Sequence, residues 1–469
     1  MPNHDFKIFE KDSEIIINRY YSDILHLIPT MTKEMATDVI LEKVLISDIL
    51  TKLQVSLDKM SKSVVLGITT KYLKLNKGEI LNHTAFKMSD FDIEIAQSLP
   101  QGGSWKNLPR EIINKSKRLQ DIEKDGGRTT LYGRMHYAQP SYTLTTLFNR
   151  PSAGTHVHPI HNRVLSLREA ARIQGFLDTY FFVGNKNQLL KQVGNAVPSI
   201  FAFQIAKQIM EKTDCRKSID LFCGAGGFAL GFKKAGIETV ISTDIEESAC
   251  MTLKINNPEI DTYVGDITLA SVKEHLVKVC EQKGVDIICG GPPCQGFSLS
   301  GHRLADDPRN KLFTDFLGLV SEIKPKIVVF ENVQGLLSFQ KGAVYKEILR
   351  LFQDLGYSTE ARLLKTNEYG VPQKRKRVIV IAVRKDMGIN PNTLFPVKIT
   401  EDSINQTNMK QTIEDLEMAE CGEMAYYYDT EQSDIVKLFK EKMSYDDFVK
   451  GLSKKGNELL SENSIFQLI

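Results

Sequence analysis

The sequence predicts an α/β protein with a doubly wound, mainly parallel sheet and a smaller, irregular second domain. Three short apolar runs carry this prediction: Ser218–Phe222, Val285–Cys289 and Ile327–Phe330. Each has the length of a buried parallel strand and is followed within two residues by glycine or a charged residue. Strands and helices alternate from Ile219 to about Asp386, which indicates βαβ crossovers in one sheet.

The composition is that of a soluble globular protein. The 469 residues are 42% hydrophobic and 25% charged, enough for two or three domains. No apolar stretch approaches the ~18–20 residues of a membrane span, and the N-terminus lacks a signal-peptide pattern. The seven cysteines have no paired spacing, which argues against a disulfide framework or a zinc site. We expect a cytoplasmic protein without a metal.

Charge is distributed unevenly along the chain. Residues 101–200 contain 14 Lys and Arg against 6 Asp and Glu, whereas residues 401–469 contain 7 against 15. Either stretch by itself is compatible with a solvated face. An unbalanced basic stretch also suits a phosphate backbone, so we expect nucleic acid at the first and not at the acidic tail.

A single cysteine follows the second apolar run. Gly290-Gly291 permits a sharp turn, after which Pro292-Pro293-Cys294-Gln295 places Cys294 on a loop at the carboxyl end of a strand. A thiolate there is a candidate nucleophile, although an isolated cysteine is more often a small buried hydrophobe. Glu331 ends the next apolar run, so adjacent parallel strands would bring both side chains to one edge of the sheet.

A glycine-rich turn follows the first run and permits two interpretations. Gly224, Gly226 and Ala229 fit the spacing of a dinucleotide-binding turn, and Asp244 lies 18 residues beyond Gly226. Taken alone, this pattern suits a nicotinamide dinucleotide and another nucleoside cofactor about equally. A dinucleotide-dependent oxidoreductase, however, has no use for the loop that contains Cys294.

Four segments together resemble the DNA (cytosine-5)-methyltransferase family of bacterial restriction-modification systems. They are DLFCGAGGF from Asp220, GGPPCQGFS from Gly290, Glu331-Asn332-Val333, and Gln373–Arg377. The resemblance covers roughly residues 80–420. It implies methyl transfer from S-adenosyl-L-methionine to C5 of a cytosine flipped out of a specific duplex sequence. It also implies a monomer that acts on double-stranded DNA, with a restriction endonuclease as a functional partner only and no membrane.

The resemblance assigns catalytic roles to four residues. Cys294 would attack C6 of the ring, Glu331 would hydrogen-bond or protonate N3, and Arg377 would contact O2. Arg375 lies two residues away, on the same face of an expected strand. The alternative for this basic run is a solvated surface. The polar stretch Gly296–Asn310 is expected to close over the flipped base.

The resemblance assigns cofactor binding to twelve residues along the same edge. Asp244 would bind the ribose hydroxyls, Asp266 the adenine amino group, and Ile267 the adenine ring, with helix capping as the alternative for both acids. Ile245 stands where the family usually has an aromatic residue. The remaining nine are Phe222, Gly224, Gly226, Gly227, Ile245, Pro293, Leu312, Asn195 and Ala196.

The order of the motifs is unusual for this family. Two segments that normally come last, Arg163–Phe176 and Gln192–Pro198, here precede the glycine turn, so the chain looks circularly permuted. Three domains follow from this order. Residues 1–180 would form the smaller DNA-recognition domain, with recognition mostly in 76–160. Residues 181–390 would form the catalytic, cofactor-binding domain, and 391–469 an acidic segment packed on the smaller domain. Both chain ends should lie in or beside the smaller domain.

Three other functions remain to be weighed. A tRNA cytosine-5-methyltransferase has the same fold, but its Cys-Phe-Thr tripeptide is absent here. A dinucleotide-dependent oxidoreductase accounts for the glycine turn alone. A DNA-binding module without activity is disfavoured because Cys294, Glu331 and Arg377 are all present.

Overall fold

A seven-stranded sheet forms the centre of the protein. A computed structural model describes residues 79–127, 129–293, 308–400, 405–416, 427–428 and 432–466, together with six single positions between 64 and 75. The sheet has the order β5-β4-β3-β6-β7-β9-β8. Its strands are β3 (Lys217–Leu221), β4 (Glu238–Asp244), β5 (Asp261–Val264), β6 (Ile287–Gly290), β7 (Ile327–Val333), β8 (Tyr357–Lys365) and β9 (Lys376–Arg384). A two-stranded parallel pair, β1 (Gly133–Arg134) with β2 (Thr155–Val157), precedes it.

The predicted, mainly parallel sheet is confirmed. Strands β5, β4, β3, β6 and β7 pair in parallel, and β9 is antiparallel to both of its neighbours. Pairing with β9 continues through Val333, which lies opposite Arg377. Strand β7 is therefore three residues longer than its apolar run, and it carries Glu331 within the strand.

Helices cover both faces of the sheet. Those before the sheet are α1 (Asp90–Ser98), α2 (Arg110–Asn114), α3 (Lys117–Lys124), α4 (Leu167–Ile173), α5 (Lys186–Asn195) and α6 (Ser199–Lys212). Those between its strands are α7 (Gly227–Ala235), α8 (Glu247–Asn256), α9 (Ala270–Lys283), α10 (Pro308–Ile323) and α11 (Ala343–Asp354). Helices α12 (Met409–Ile413), α13 (Asp434–Phe439) and α14 (Tyr445–Phe466) follow the sheet.

Alternate residues of the central strands contribute to two apolar cores. On one face Val329 and Ile381 pack with α6, α7 and residues of both chain ends, such as Leu144 and Phe448. On the other face Val328 and the neighbouring strand residues pack with α9, α10 and α11. This period-two division is what a sheet buried on both sides requires.

The first part of the described chain has a separate small core. Helices α1 to α3 enclose Trp105 and Leu119. Buried Arg134 donates hydrogen bonds to the backbone oxygens of Leu99 (2.9 Å) and His158 (2.7 Å). Trp105 and Arg134 thus stabilise this region from within. No helix among the described residues has the length and apolar character needed to cross a bilayer.

The acidic C-terminal segment contacts both expected domains. The Tyr445 hydroxyl lies 3.0 Å from the Ser199 hydroxyl of α6, and Thr179 donates to Glu441 at 2.8 Å. The proposed three-domain division remains a prediction. The sequence of residues 1–75, rich in Ile, Leu, Met and Lys, predicts several short amphipathic helices, but these residues lie largely outside the described ones. The expected positions of Met1 and Ile469 lie entirely outside them.

Candidate active site

A cavity of about 920 Å³ lies at the carboxyl ends of β3, β4, β6 and β7. Ten of the predicted site residues line it: Asn195, Ala196, Phe222, Gly224, Gly227, Asp244, Pro293, Glu331, Arg375 and Arg377. They come from segments separated by up to 182 positions in sequence. The sheet edge therefore gathers the predicted catalytic and cofactor-binding residues around one space.

Glu331 and Arg377 form an ion pair in this cavity. The Nε of Arg377 lies 2.6 Å from Oε1 of Glu331, and both side chains are only 12% exposed. Antiparallel pairing of β7 with β9 holds the two side chains together, because Arg377 lies opposite Val333, two residues after Glu331. An acid and a base fixed in this way present a hydrogen-bonding edge to a planar polar ligand.

The loop that precedes Cys294 is tied to the same strand. Asn332 donates from Nδ2 to the carbonyl oxygen of Pro292 at 3.0 Å. A Cβ atom at Gly291 would lie 2.8 Å from Oε2 of Glu331, so only glycine leaves the carboxylate in place. Cys294 itself, and the expected closing loop Gly296–Asn310, lie outside the residues whose side chains are described. Pro293, directly before the cysteine, lines the cavity.

Arg375 is buried beneath the cavity, 2% exposed. It donates to the backbone oxygens of Leu144 (3.2 Å), Gly194 (3.0 Å) and Asn195 (3.4 Å). Burial, reinforced by Arg377, lowers the pKa of Arg375 to about 9, and Glu331 opposes this shift. These hydrogen bonds link the segment of Arg375 to those of Leu144 and of Gly194-Asn195. The catalytic role of Arg375 remains a prediction.

The glycine turn and Asp244 are joined by hydrogen bonds. One carboxylate oxygen of Asp244 accepts from the amide of Gly224 at 2.9 Å, and the other accepts from the amide of Glu246 at 3.0 Å. Burial raises the pKa of Asp244, while these amides oppose the shift. The carboxylate is therefore oriented toward the cavity and keeps lone pairs for further donors.

The displaced motif Gln192–Pro198 packs directly on this turn. A Cβ atom at Gly227 would lie 2.1 Å from the carbonyl oxygen of Val197, and one at Gly231 would lie 2.5 Å from that of Ser199. Helices α6 and α7 consequently approach at backbone distance. This contact brings Asn195 and Ala196 to the cavity although they precede the glycine turn in sequence.

Five other predicted residues lie outside the cavity lining. Ile245 is 66% exposed beside Asp244, and Ile267 is buried in the core on the second sheet face. Asp266 accepts from the amide of Thr268 at 2.9 Å in a local turn, and the N-cap of the following helix is Leu269 without a side-chain cap, so Asp266 is not its helix cap. Gly226 has φ +86° with Leu253 close by, and Leu312 packs against the second core. Their cofactor contacts remain predictions.

Some lining residues were not predicted from the sequence. Lys191 and Glu246 approach at 3.7 Å across the rim. Lys191 lies one helical turn before Asn195, a spacing that predicts a shared face. Phe339 also lines the cavity, and it directly precedes a turn in which Gln340, Lys341 and Gly342 have positive φ. No pattern in the sequence indicates that turn.

The chain is similar in sequence to known DNA methylases. The family model for C-5 cytosine-specific DNA methylase matches residues 33–211 and 216–466. The type II methyltransferase M.DdeI of Desulfomicrobium norvegicum is 41% identical over 208 residues, 44% of this chain and 49% of that protein. M1.HphI of Haemophilus parahaemolyticus is 42% identical over 173 residues, 36% and 46% of the respective chains. A solved structure of a Spodoptera frugiperda DNMT2 mutant is 27% identical, covers 37% of this chain and 51% of its own, and has a TM-score of 0.31.

The chain spans about half the length of these two type II methyltransferases. The family match nevertheless covers most of the chain, and its two stretches meet just before β3. That is the point at which the sequence predicts the break in motif order. The chain therefore belongs to the C-5 cytosine-specific DNA methylase family.

Proposed function

We propose that this protein transfers a methyl group from S-adenosyl-L-methionine to C5 of cytosine in a specific sequence of double-stranded DNA. The observation that carries the proposal is the Glu331–Arg377 pair at 2.6 Å, in the cavity that Pro293 and the glycine turn also line. The type II methyltransferase names of the relatives support a role in a restriction-modification system, with a restriction endonuclease acting on the same sequence.

The residues around the glycine turn suit the proposed cofactor. The cavity volume lies within the range of small-molecule sites. A Cβ atom at Gly224 would meet no atom within 4 Å, so this turn leaves open space for a ligand. Asp244 offers oriented acceptors for ribose hydroxyls, and Asn195 and Ala196 bound the other side. When bound, S-adenosyl-L-methionine supplies an electrophilic methyl group.

The chain's own residues account for activation of the base. C5 of cytosine is a weak nucleophile, so the thiolate of Cys294 adds to C6 and pushes electron density toward C5. The Glu331 carboxyl, in its protonated form, donates its proton to N3 as negative charge develops in the ring and takes it back when the ring is restored, and Arg377 both orients Glu331 and reaches O2. Solvent water takes up the C5 proton after methylation, and elimination of the Cys294 thiolate restores the aromatic ring.

The substrate must present the cytosine outside the helix. A base stacked within a duplex is not accessible to a thiol, so the target nucleotide flips into the cavity. Phosphate contacts on the basic stretch 101–200 supply sequence-independent affinity. The enzyme acts as a monomer in the cytoplasm.

The test uses duplex DNA and a labelled methyl group. The wild-type protein should label cytosine in the duplex and not in tRNA, and Cys294→Ser should abolish labelling while duplex binding is largely retained. A duplex with 5-fluorocytosine at the target should form a covalent complex, because fluorine does not leave as a proton does. Labelling of tRNA alone, or turnover by Cys294→Ser near the wild-type rate, would overturn the proposal.

A further inference from the structure

An exposed tyrosine and an exposed lysine meet where the expected recognition region joins β9. The Nζ of Lys374 lies 5.9 Å from the ring centroid of Tyr142 and 3.3 Å from Oε1 of Gln139. The tyrosine is 49% exposed. Among the described residues no carboxylate lies within ion-pair distance of Lys374. The lysine therefore carries a charge that the described protein does not neutralise.

Backbone hydrogen bonds hold this pair in place. The amide of Ser141 donates to Pro372 O at 2.9 Å, and the amide of Lys374 donates back to Ser141 O at 2.7 Å. The Thr143 hydroxyl donates to Lys374 O at 3.2 Å. The two segments are thus interlocked on both sides of the exposed pair, so a ligand bound there would pay little ordering entropy in the backbone.

The pair lies close to the candidate active site. Lys374 precedes Arg377 by three residues, which in extended chain separates the Cα atoms by at most ~10 Å. Arg377 contacts Glu331 within the cavity. On the other segment, Leu144 follows Tyr142 by two residues, and its carbonyl oxygen accepts from Arg375. A nucleotide whose base occupies the cavity would bring its own or its neighbour's phosphate within reach.

We propose that Tyr142 and Lys374 bind the sugar-phosphate backbone of duplex DNA beside the nucleotide that enters the cavity. Lys374 supplies the charge for one phosphate, and Tyr142 supplies a ring for the adjacent deoxyribose and a hydroxyl donor. The contact is independent of base sequence. This inference rests on the proposed function and deepens it by assigning a surface to the DNA.

The experiment compares two lysines in the full-length protein. Lys374→Gln removes the proposed contact. Lys346→Gln is the matched control, because Lys346 is exposed on α11, whose buried side packs on the opposite face of the sheet. Binding to a methylated target duplex and to an unrelated duplex is measured from 50 to 200 mM salt. The binding constant falls as salt rises, and each lost phosphate contact makes the slope of log K against log salt shallower by about 1.

We expect Lys374→Gln to make the slope shallower by about 1 on both duplexes, with cofactor affinity unchanged. Lys346→Gln should have the slope of the wild type. Lys374→Arg should restore the slope. Tyr142→Ala should weaken binding without changing the slope. A wild-type slope in Lys374→Gln, or a loss confined to the target duplex, would overturn the backbone contact. If the wild-type protein neither binds duplex DNA nor methylates it, the proposed function itself fails.

Discussion

Arg172 and Asp415 form a buried ion pair at 2.6 Å, although 243 positions separate them in sequence. Arg172 also contacts Asp178 at 2.7 Å, and Lys440 contacts Asp415 at 2.8 Å. Tyr427 donates to Asp178 at 2.9 Å and lies under Lys440. Charged groups from both sides of the sheet-forming region thus neutralise one another inside the molecule, where an unpaired charge is costly.

Asp415→Asn should therefore destabilise the protein severely. The change leaves Lys440 without a carboxylate among the described residues and removes one of the two carboxylates that pair with Arg172. We therefore expect the free energy of unfolding to fall by ~3–5 kcal/mol. The measurement is the shift of the thermal or urea midpoint of the whole protein. Asp434→Asn is the control, because the contacts of Asp434 with Lys437 and Lys455 lie at the surface, with the carboxylate 30% exposed, and are worth at most ~1 kcal/mol. Equal shifts in the two variants would contradict the structural role.

Glu331→Gln should lower the chemical rate far more than the affinity for cofactor. Its carboxylate lines the cavity in which we place the target base, and interactions that strengthen as charge develops are worth ~10²–10⁴-fold in rate. Single-turnover methyl transfer and a cofactor-binding titration separate the two effects.

Asp244→Ala should have the opposite balance. It removes the carboxylate that the amides of Gly224 and Glu246 orient toward the cavity. We expect weaker cofactor binding and a nearly normal rate at saturating cofactor. Changes of the same size in the cofactor dissociation constant for Asp244→Ala and Glu331→Gln would show that their roles are misassigned.

The strands and the residues at their ends could be predicted because both depend on local sequence. Apolar runs that alternate with helices predict parallel strands, and Asp244 and Glu331 come at or near the carboxyl ends of two of them, so both could be placed at one edge of the sheet. The ion pair between Glu331 and Arg377 was beyond prediction because it depends on antiparallel pairing of β7 with β9. Motif spacing shows that Arg375 and Arg377 share a face, yet only the packed structure shows that Arg375 is engaged by three backbone oxygens.

Asp220 should make stability depend on pH. It is 1% exposed, and the polar groups nearest its carboxylate are the Cys289 thiol and the Ala229 amide, both of which oppose the effect of burial on its pKa. Burial raises the pKa of Asp220 to about 8. Between the unfolded pKa of ~3.9 and about 8, the folded state holds a proton that the unfolded state has lost. This contribution to stability is complete below about pH 4 and is lost as the pH rises toward 8.

Asp220→Asn tests that dependence. The amide does not titrate, so its thermal midpoint relative to the wild type should rise between pH 5.5 and pH 8, where the wild type loses up to ~1.4 kcal/mol per pH unit from this group. Glu211→Gln, at an exposed position on α6, is the control and should follow the wild type. Parallel pH profiles for wild type and Asp220→Asn would show that the buried carboxyl is ionised throughout.

Gly227→Ala should disrupt the junction between the displaced motif and the glycine turn. The added Cβ would lie 2.1 Å from the carbonyl oxygen of Val197, a backbone atom that cannot rotate away. Gly318→Ala is the matched control, because Gly318 is also helical and a Cβ there meets nothing within 4 Å. Alanine is favoured over glycine in a helix by ~0.5–1 kcal/mol, so Gly318→Ala should be neutral or stabilising.

Gly227→Ala should instead lower the free energy of unfolding by at least the ~1–3 kcal/mol of an overpacked core. It should also bind cofactor more weakly, because Asn195 and Ala196 must move with Val197. Thermal midpoints and cofactor titrations of both variants measure this, and a stabilised Gly227→Ala protein with normal cofactor affinity would show that α6 and α7 do not meet at backbone distance.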